Sequence, residues 1–116
     1  MLDSQALPKS FDEAFDFSTN EVLGWEVERI RQAALQGKYI ISDHAQKRMK
    51  ERSIASKDVR DVLINGDYLS KDLPGNPHAR GPGINVEGVI ADGRQVRVKV
   101  SWRKGYVVVT THEVRV

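Results

Sequence analysis

Arg94-Gln95-Val96-Arg97-Val98-Lys99-Val100-Ser101-Trp102-Arg103 is the stretch whose reading decides the fold. Val96, Val98, Val100 and Trp102 alternate with Arg97, Lys99, Ser101 and Arg103, the period-2 pattern of a strand with one buried and one exposed face. Lys104-Gly105 follows as a two-residue turn, and Tyr106 to His112 return as a second strand. Counting back from Arg103 opposite Tyr106 pairs Trp102 with Val107, Val100 with Val109 and Val98 with Thr111 on the apolar face. Lys99 then meets Thr110 and Arg97 meets His112 on the other. This hairpin is expected to carry one core face and one polar face with Arg97, Lys99, Arg103, Thr110 and His112. A slip of one residue would exchange the faces of the last strand.

Upstream, Ile84 to Ile90 reads as another strand, joined to the first by a turn at Asp92-Gly93. A two-residue loop would set Val98 against Glu87. A three-residue loop that includes Arg94 pairs Ile90 with Val96 and Val86 with Val100, and keeps apolar residues together. Before it, Pro74-Gly75-Asn76-Pro77-His78-Ala79-Arg80-Gly81-Pro82-Gly83 is a turn-rich loop, longer than most connections in compact domains.

The first half reads as helix. Ser18 with Glu21 has capping-box spacing, Phe17 with Val22 that of a hydrophobic staple, and Leu23, Val27, Ile30 and Ala34 form one apolar face before Gly37. Tyr39-Ile40-Ile41 is a brief extended link. Ser42 or Asp43 caps a second helix and Ser56 a third, where Val59, Val62 and Leu63 recur at helical spacing before Asn65-Gly66. The fold class is therefore α+β: helices over about 20–36, 43–52 and 56–65, packed on a C-terminal antiparallel sheet of three to four strands. Residues 1–17, acidic and bearing Phe11, Phe15 and Phe17, are expected to be a partly disordered tail. Residues 18–116 form a single domain.

Composition narrows the function classes. The absence of cysteine excludes disulfides and thiolate metal sites. The first residues lack the basic and apolar regions of a secretory signal, and no apolar run reaches membrane-spanning length, so a cytoplasmic location away from the membrane is expected. The net charge of +2 conceals segregation: residues 44–60 hold six bases against two acids, and residues 94–116 six against one. Two basic blocks separated by acidic ones can build a local positive field. The chain has no P-loop, dinucleotide fingerprint or serine-nucleophile elbow. His44, His78 and His112 are too widely spaced for a ligand motif, so neither metal nor cofactor is expected.

Chemistry concentrates in Ser42-Asp43-His44-Ala45-Gln46-Lys47-Arg48-Met49-Lys50-Glu51-Arg52-Ser53-Ile54. His44, Arg48 and Arg52 follow at i, i+4 and i+8, one row along a helix, with Ala45 and Met49 in the adjacent row toward the core. A histidine and two arginines in line suit a phosphodiester: the imidazole exchanges a proton near neutral pH, and guanidiniums grip phosphate oxygens in pairs. The same row also fits a solvated basic helix face.

The run His44-Ala45-x-x-Arg48-Met49-x-x-Arg52-x-Ile54, followed by Asp58-Val59, Asn65-Gly66 and the Asp92-Gly93-Arg94 hairpin, resembles the bacterial domain-of-unknown-function family 4258 over roughly residues 38 to 112. Ser53 departs from it, standing where the family usually has glycine, so the turn there is expected to find another geometry. The Pro/Gly-rich loop around His78 is longer than expected. The resemblance implies similarity to small ribonuclease toxins of the barnase- and RelE-like superfold, with helices before an antiparallel sheet, and an antitoxin or other protein partner. The expected activity is metal-independent RNA cleavage, with His44, Arg48, Arg52 and His112 as catalytic residues and Arg97, Lys99, Arg103 and His78 along the RNA path. His78 could replace His112 as the second proton-transfer group. The competing expectation is a non-catalytic module that binds RNA or a protein.

Overall fold

The computed structural model describes residues 11–114. Its elements are helices α1 (Phe11–Ala14), α2 (Gly24–Leu35), α3 (Asp43–Arg52) and α4 (Ser56–Asn65), and strands β1 (Tyr39–Ile41), β2 (Asp67–Asp72), β3 (Gly83–Val89), β4 (Gln95–Trp102) and β5 (Tyr106–Glu113). The α+β class stands, with α2, α3 and α4 as the three main helices. The sheet is larger than expected and mixed: its order is β1-β5-β4-β3-β2, and β1 runs parallel to β5. Tyr39-Ile40-Ile41 is a strand because a short apolar segment completes its ladder against Tyr106, Val107 and Val108. Asp67–Asp72 carried no strand pattern because it is an edge strand interrupted by a bulge at Leu69.

One face of the sheet carries the core. Ile84 and Val86 of β3, Val96, Val98, Val100 and Trp102 of β4, and Tyr106 and Val108 of β5 pack beneath Ile30, Ala33 and Ala34 of α2, Ala45 and Met49 of α3, and Val59, Val62 and Leu63 of α4. Phe15 joins them fully buried, edge-on to Tyr106 at 6.0 Å between ring centroids, and Phe17 packs beside it. Two of the phenylalanines of the acidic N-terminal segment therefore dock on the domain. Residues 1–10 lie outside the described residues.

Helix α2 begins four residues later than the Ser18–Glu21 spacing suggested. Ser18 N–H and Oγ both donate to Asp16 Oδ1, at 2.9 and 2.5 Å, which closes a turn instead of a helix. The cap is Leu23, whose N–H donates to Glu26 Oε1 at 2.8 Å. Glu26 is itself wholly buried: it accepts from Asp16 N–H at 2.9 Å and pairs with Lys71 Nζ at 2.8 Å, both side chains at 0% exposure. Helix α3 is capped by Ser42 Oγ, which accepts from Ala45 N–H at 3.1 Å. In α4 the cap is Ala55 and not Ser56, its N–H satisfied by Asp58 Oδ2 at 2.9 Å.

The β3–β4 hairpin differs from the expected register throughout and the β4–β5 hairpin only beside its turn, and the differences fix which side chains share a face. Between β3 and β4 the connection is five residues, closed by Ile90 N–H to Arg94 O and Gly93 N–H to Ile90 O, both 2.9 Å. Val86 accordingly meets Val98, and Ile84 meets Val100. This is two residues from the expected pairing, so every side chain keeps its face. Between β4 and β5 the loop is three residues, Arg103-Lys104-Gly105, with Trp102 opposite Tyr106. Lys104, at φ 60°, takes a left-handed conformation in it. The extra residue would exchange the faces of β5, but a bulge at Val109 takes one residue back. Lys99 still meets Thr110, Val98 meets Thr111 and Arg97 meets His112.

Candidate active site

The sheet face opposite the core is polar, and its residues line up in two rows across the strands. Ser70, Asn85, Lys99 and Thr110 form one; Glu87, Arg97 and His112 form the other. Helix α3 rises beside β5 at the edge of this face. Ser42 sets it there: its N–H donates to Val108 O at 2.9 Å and its Oγ to Val109 O at 3.5 Å, the point of the bulge. Thr111 Oγ1 reaches Ala45 O at 3.4 Å from below. With Ala45 and Met49 held in the core, His44, Arg48 and Arg52 are turned toward the polar face.

The result is a cleft of about 480 Å³. The helical row forms one wall, the polar sheet face the floor, and His78, Ala79 and Arg80 of the long loop the opposite wall. It unites seven of the eight residues expected from the sequence: His44, Arg48, Arg52, His78, Arg97, Lys99 and His112. Arg103 is elsewhere. It sits in the β4–β5 loop beside Gly37, Lys38 and Tyr39, because the longer loop carries it off the end of the strand.

Charge in the cleft is unevenly available. Its lining holds five cations, Arg48, Arg52, Arg80, Arg97 and Lys99, against one carboxylate, Asp72. Lys99 is nearly buried and committed: Nζ pairs with Asp72 Oδ2 at 2.9 Å and donates to Gly81 O at 2.6 Å, tying the loop to the floor. Arg97 donates through Nε and an Nη to Glu87 Oε2 at 2.8 and 2.6 Å, and Gln95 Nε2 holds the other Glu87 oxygen. Arg48 makes a loose exposed pair with Glu51 at 3.3 Å. Among the described residues no carboxylate lies within 4.0 Å of Arg52 or Arg80, so these two offer the least committed charge to an anion.

His112 stands at the meeting of helix and sheet. Burial at the cleft wall pushes its pKa below the ordinary 6.5, and the Arg97 and Arg52 charges add to this against a smaller opposite effect of Glu87. Its neutral form, the one able to accept a proton, therefore prevails at neutral pH. Burial raises the Asp72 carboxyl, but hydrogen bonds from Asn85 and Lys99 and the charges of Lys99 and Arg97 outweigh it, so its pKa lies below the carboxylate norm. Among the described residues no group of three or more His, Cys, Asp or Glu could hold a metal ion.

Arg94 was not singled out as a functional residue in the sequence, yet it holds α3 from the far end. Its two Nη atoms donate to Arg52 O at 2.6 Å and Ser53 O at 2.8 Å, while Nε pairs with Asp92 Oδ2 at 2.8 Å. A guanidinium on the last carbonyls of a helix satisfies groups that have no partner within it. Its only sequence cue is the Asp92-Gly93-Arg94 turn itself. Ser53 adopts the left-handed geometry that favours glycine, φ 54° and ψ 46°. It finds no other turn.

The family model described as a domain of unknown function, DUF4258, matches residues 41–112. The chain belongs to this family. No curated protein and no solved structure matches the chain. The DUF4258 segment opens just before α3 and closes on His112, so every residue lining the cleft falls inside it. Helix α2 and the Phe15–Phe17 aromatic pair before it lie outside. Among the described residues no helix is long and apolar enough to cross a membrane.

Proposed function

We propose that this DUF4258 chain is a toxin-like endoribonuclease that cleaves RNA without a metal ion. The observation that carries the reading is the convergence of His44, Arg48 and Arg52 with Arg97 and His112 on one cleft, from elements far apart in sequence. His112, neutral near pH 7, takes the proton of a ribose 2′-hydroxyl as that oxygen attacks phosphorus. The bond from phosphorus to the 5′-oxygen breaks, and His44 in its protonated form donates to the leaving oxygen. The products are a 2′,3′-cyclic phosphate and a 5′-hydroxyl. Arg52, Arg48 and Arg97 stabilise the charge that builds on the phosphorane, the largest kind of contribution a preorganised site makes. Each proton transfer by a positioned side chain contributes about 10²–10⁴-fold. A protein partner of antitoxin type would silence the enzyme by filling the cleft.

The pairing of Arg97 and Lys99 with carboxylates favours a second reading, a module that binds RNA or a protein without cutting it. One experiment separates the two. Purified chain is incubated with a mixed RNA pool in EDTA beside His44→Ala and His112→Ala, with a gel shift in parallel. The enzyme reading expects cyclic-phosphate ends from the wild type, and roughly 10²–10⁴-fold slower cutting by each variant with RNA still retained. Retention without any cleavage by the wild type would sink it and leave the binding module.

A further inference from the structure

The floor of the cleft changes chemical character from one side to the other. Beside α3 it presents donors and cations; on β2 and β3 it presents oxygen acceptors. Asn85 Nδ2 donates to Ser70 Oγ at 3.0 Å and to Asp72 Oδ2 at 2.9 Å. That carboxylate contact orients the amide, because the amide oxygen would repel it. Both amide hydrogens are thereby used, and Asn85 Oδ1 is left as an acceptor. Asp72 Oδ2 is taken by Asn85 and Lys99, which leaves Asp72 Oδ1 as a second acceptor carrying charge. Neither oxygen receives a hydrogen bond from a described residue, and both residues line the cleft.

The fold builds this arrangement deliberately into β2. The bulge at Leu69 puts Ser70 opposite Asn85 and Asp72 opposite Gly83, so both side chains fall on the polar face. A regular strand would have set Leu69 there. Asn85 lies on β3, two inter-strand steps from His112 on β5. Thr110 stands level with Asn85 and His112 two residues further along, so the separation is roughly 12 Å, the scale of one nucleotide from its phosphate to the far edge of its base.

We propose that Asp72 and Asn85 form a base-reading subsite selective for guanine, an inference that rests on RNA being the ligand of this cleft. Two side chains in contact, each with an acceptor to spare, match a base with two adjacent donors on its pairing edge. Guanine offers N1–H and the N2 amine side by side. Uracil has one N–H between two carbonyl oxygens, which the acceptors repel. Adenine and cytosine each have one amine beside a bare ring nitrogen. Among the described residues no Phe, Tyr or Trp lines the cleft, and the acceptors of Asp72 and Asn85 read the base by its edge.

The test uses the wild-type chain and fluorescent uridine pentamers whose central residue is guanosine, adenosine, cytidine or uridine. All carry 2′-O-methyl groups, which block cleavage through that oxygen, so affinity is read by anisotropy whether or not the chain is an enzyme. The guanosine pentamer is expected to bind at least about tenfold more tightly than the uridine one, as for a paired edge contact. Asn85→Ala and Asp72→Ala should each bring the ratio within about twofold and leave the uridine pentamer's affinity unchanged or raised. Equal affinity for all four, binding of none, or a guanosine preference that survives both substitutions would overturn the proposal. Should Asp72→Ala fail to fold for want of a partner to Lys99, Asn85→Ala decides alone. A chain that prefers guanosine yet never cuts RNA keeps this inference and loses the ribonuclease; one that cuts beside every base alike does the reverse.

Discussion

Replacing Lys71 with methionine removes one half of an ion pair that no water reaches. Lys71 Nζ lies 2.8 Å from Glu26 Oε1 with both side chains at 0% exposure, and it also donates to Asp16 O at 2.6 Å. Methionine matches the length of the lysine stem and leaves no large void. It leaves the Glu26 carboxylate with only the Leu23 and Asp16 N–H groups, at 2.8 and 2.9 Å, to hold a full negative charge inside the core. Orphaning a buried charge costs about 3–5 kcal/mol, against a total of about 5–15 kcal/mol for a domain of this kind. At a urea slope of about 2 kcal/mol/M the midpoint should fall by roughly 2 M. The assay is equilibrium urea unfolding followed by Trp102 and Trp25 fluorescence. Substituting Glu26 with methionine as well removes the stranded charge, so the double variant should be no less stable than Lys71→Met alone. A loss below about 1 kcal/mol in the single variant, or simple additivity in the double, would refute the claim that the two side chains act as a buried unit.

Three further outcomes are expected. Arg94→Ala frees the last carbonyls of α3, so it should lower stability by about 1–3 kcal/mol and weaken RNA retention although Arg94 lines no part of the cleft; Arg94→Lys should restore only part, since an ammonium lacks the two-pronged geometry. Undiminished retention in a folded Arg94→Ala chain would show that the cap does not position Arg52. His112 is held below 6.5 by burial and then by Arg97 and Arg52, so the native state binds fewer protons than the unfolded one there. Its contribution to stability is present above pH 6.5 and is lost as pH falls through the lower folded pKa; urea midpoints at stepped pH should show this decline, flattened in His112→Gln. Ser53→Gly relieves a left-handed serine at φ 54° and should raise stability by about 0.5–1 kcal/mol, seen as a rise of a few degrees in Tm; a fall would mean that the serine side chain contributes more than its backbone strain removes.

The sequence carried the periodic parts of this fold and missed the aperiodic ones, for identifiable reasons. Val96-Arg97-Val98-Lys99-Val100 announces itself because burial on one face imposes alternation, and the row of His44, Arg48 and Arg52 because a helix repeats its faces at a fixed angle. Tyr39–Ile41 was too short to show a period, and its strand identity comes wholly from its parallel partner. Asp67–Asp72 hid because Lys71, a residue expected in water, points into the core toward a glutamate on α2. No local pattern encodes that pair. Arg103 had the right alternation but stands one residue past the last paired position of β4. The neutralisation of Arg97 and Lys99 was equally invisible, since Glu87 and Asp72 come to them only across the ladder.

The two bulges tie these misses to the cleft. A regular β5 after the three-residue loop would present Val109 and Thr111 to the polar face and turn Thr110 and His112 toward the core. A regular β2 would present Leu69 and Lys71 there, remove Asp72 from Lys99, and break the buried pair with Glu26 as well. Each bulge gives up ladder regularity, and each brings polar side chains onto the same face, one beside the helical row and the other beneath the loop wall. The bulge on β5 holds the His112 imidazole on the polar face, in the cleft and beside Arg97 and Arg52. That placement supports the proposed reading of the row on α3 as part of an anion-binding site and not only a solvated helix face.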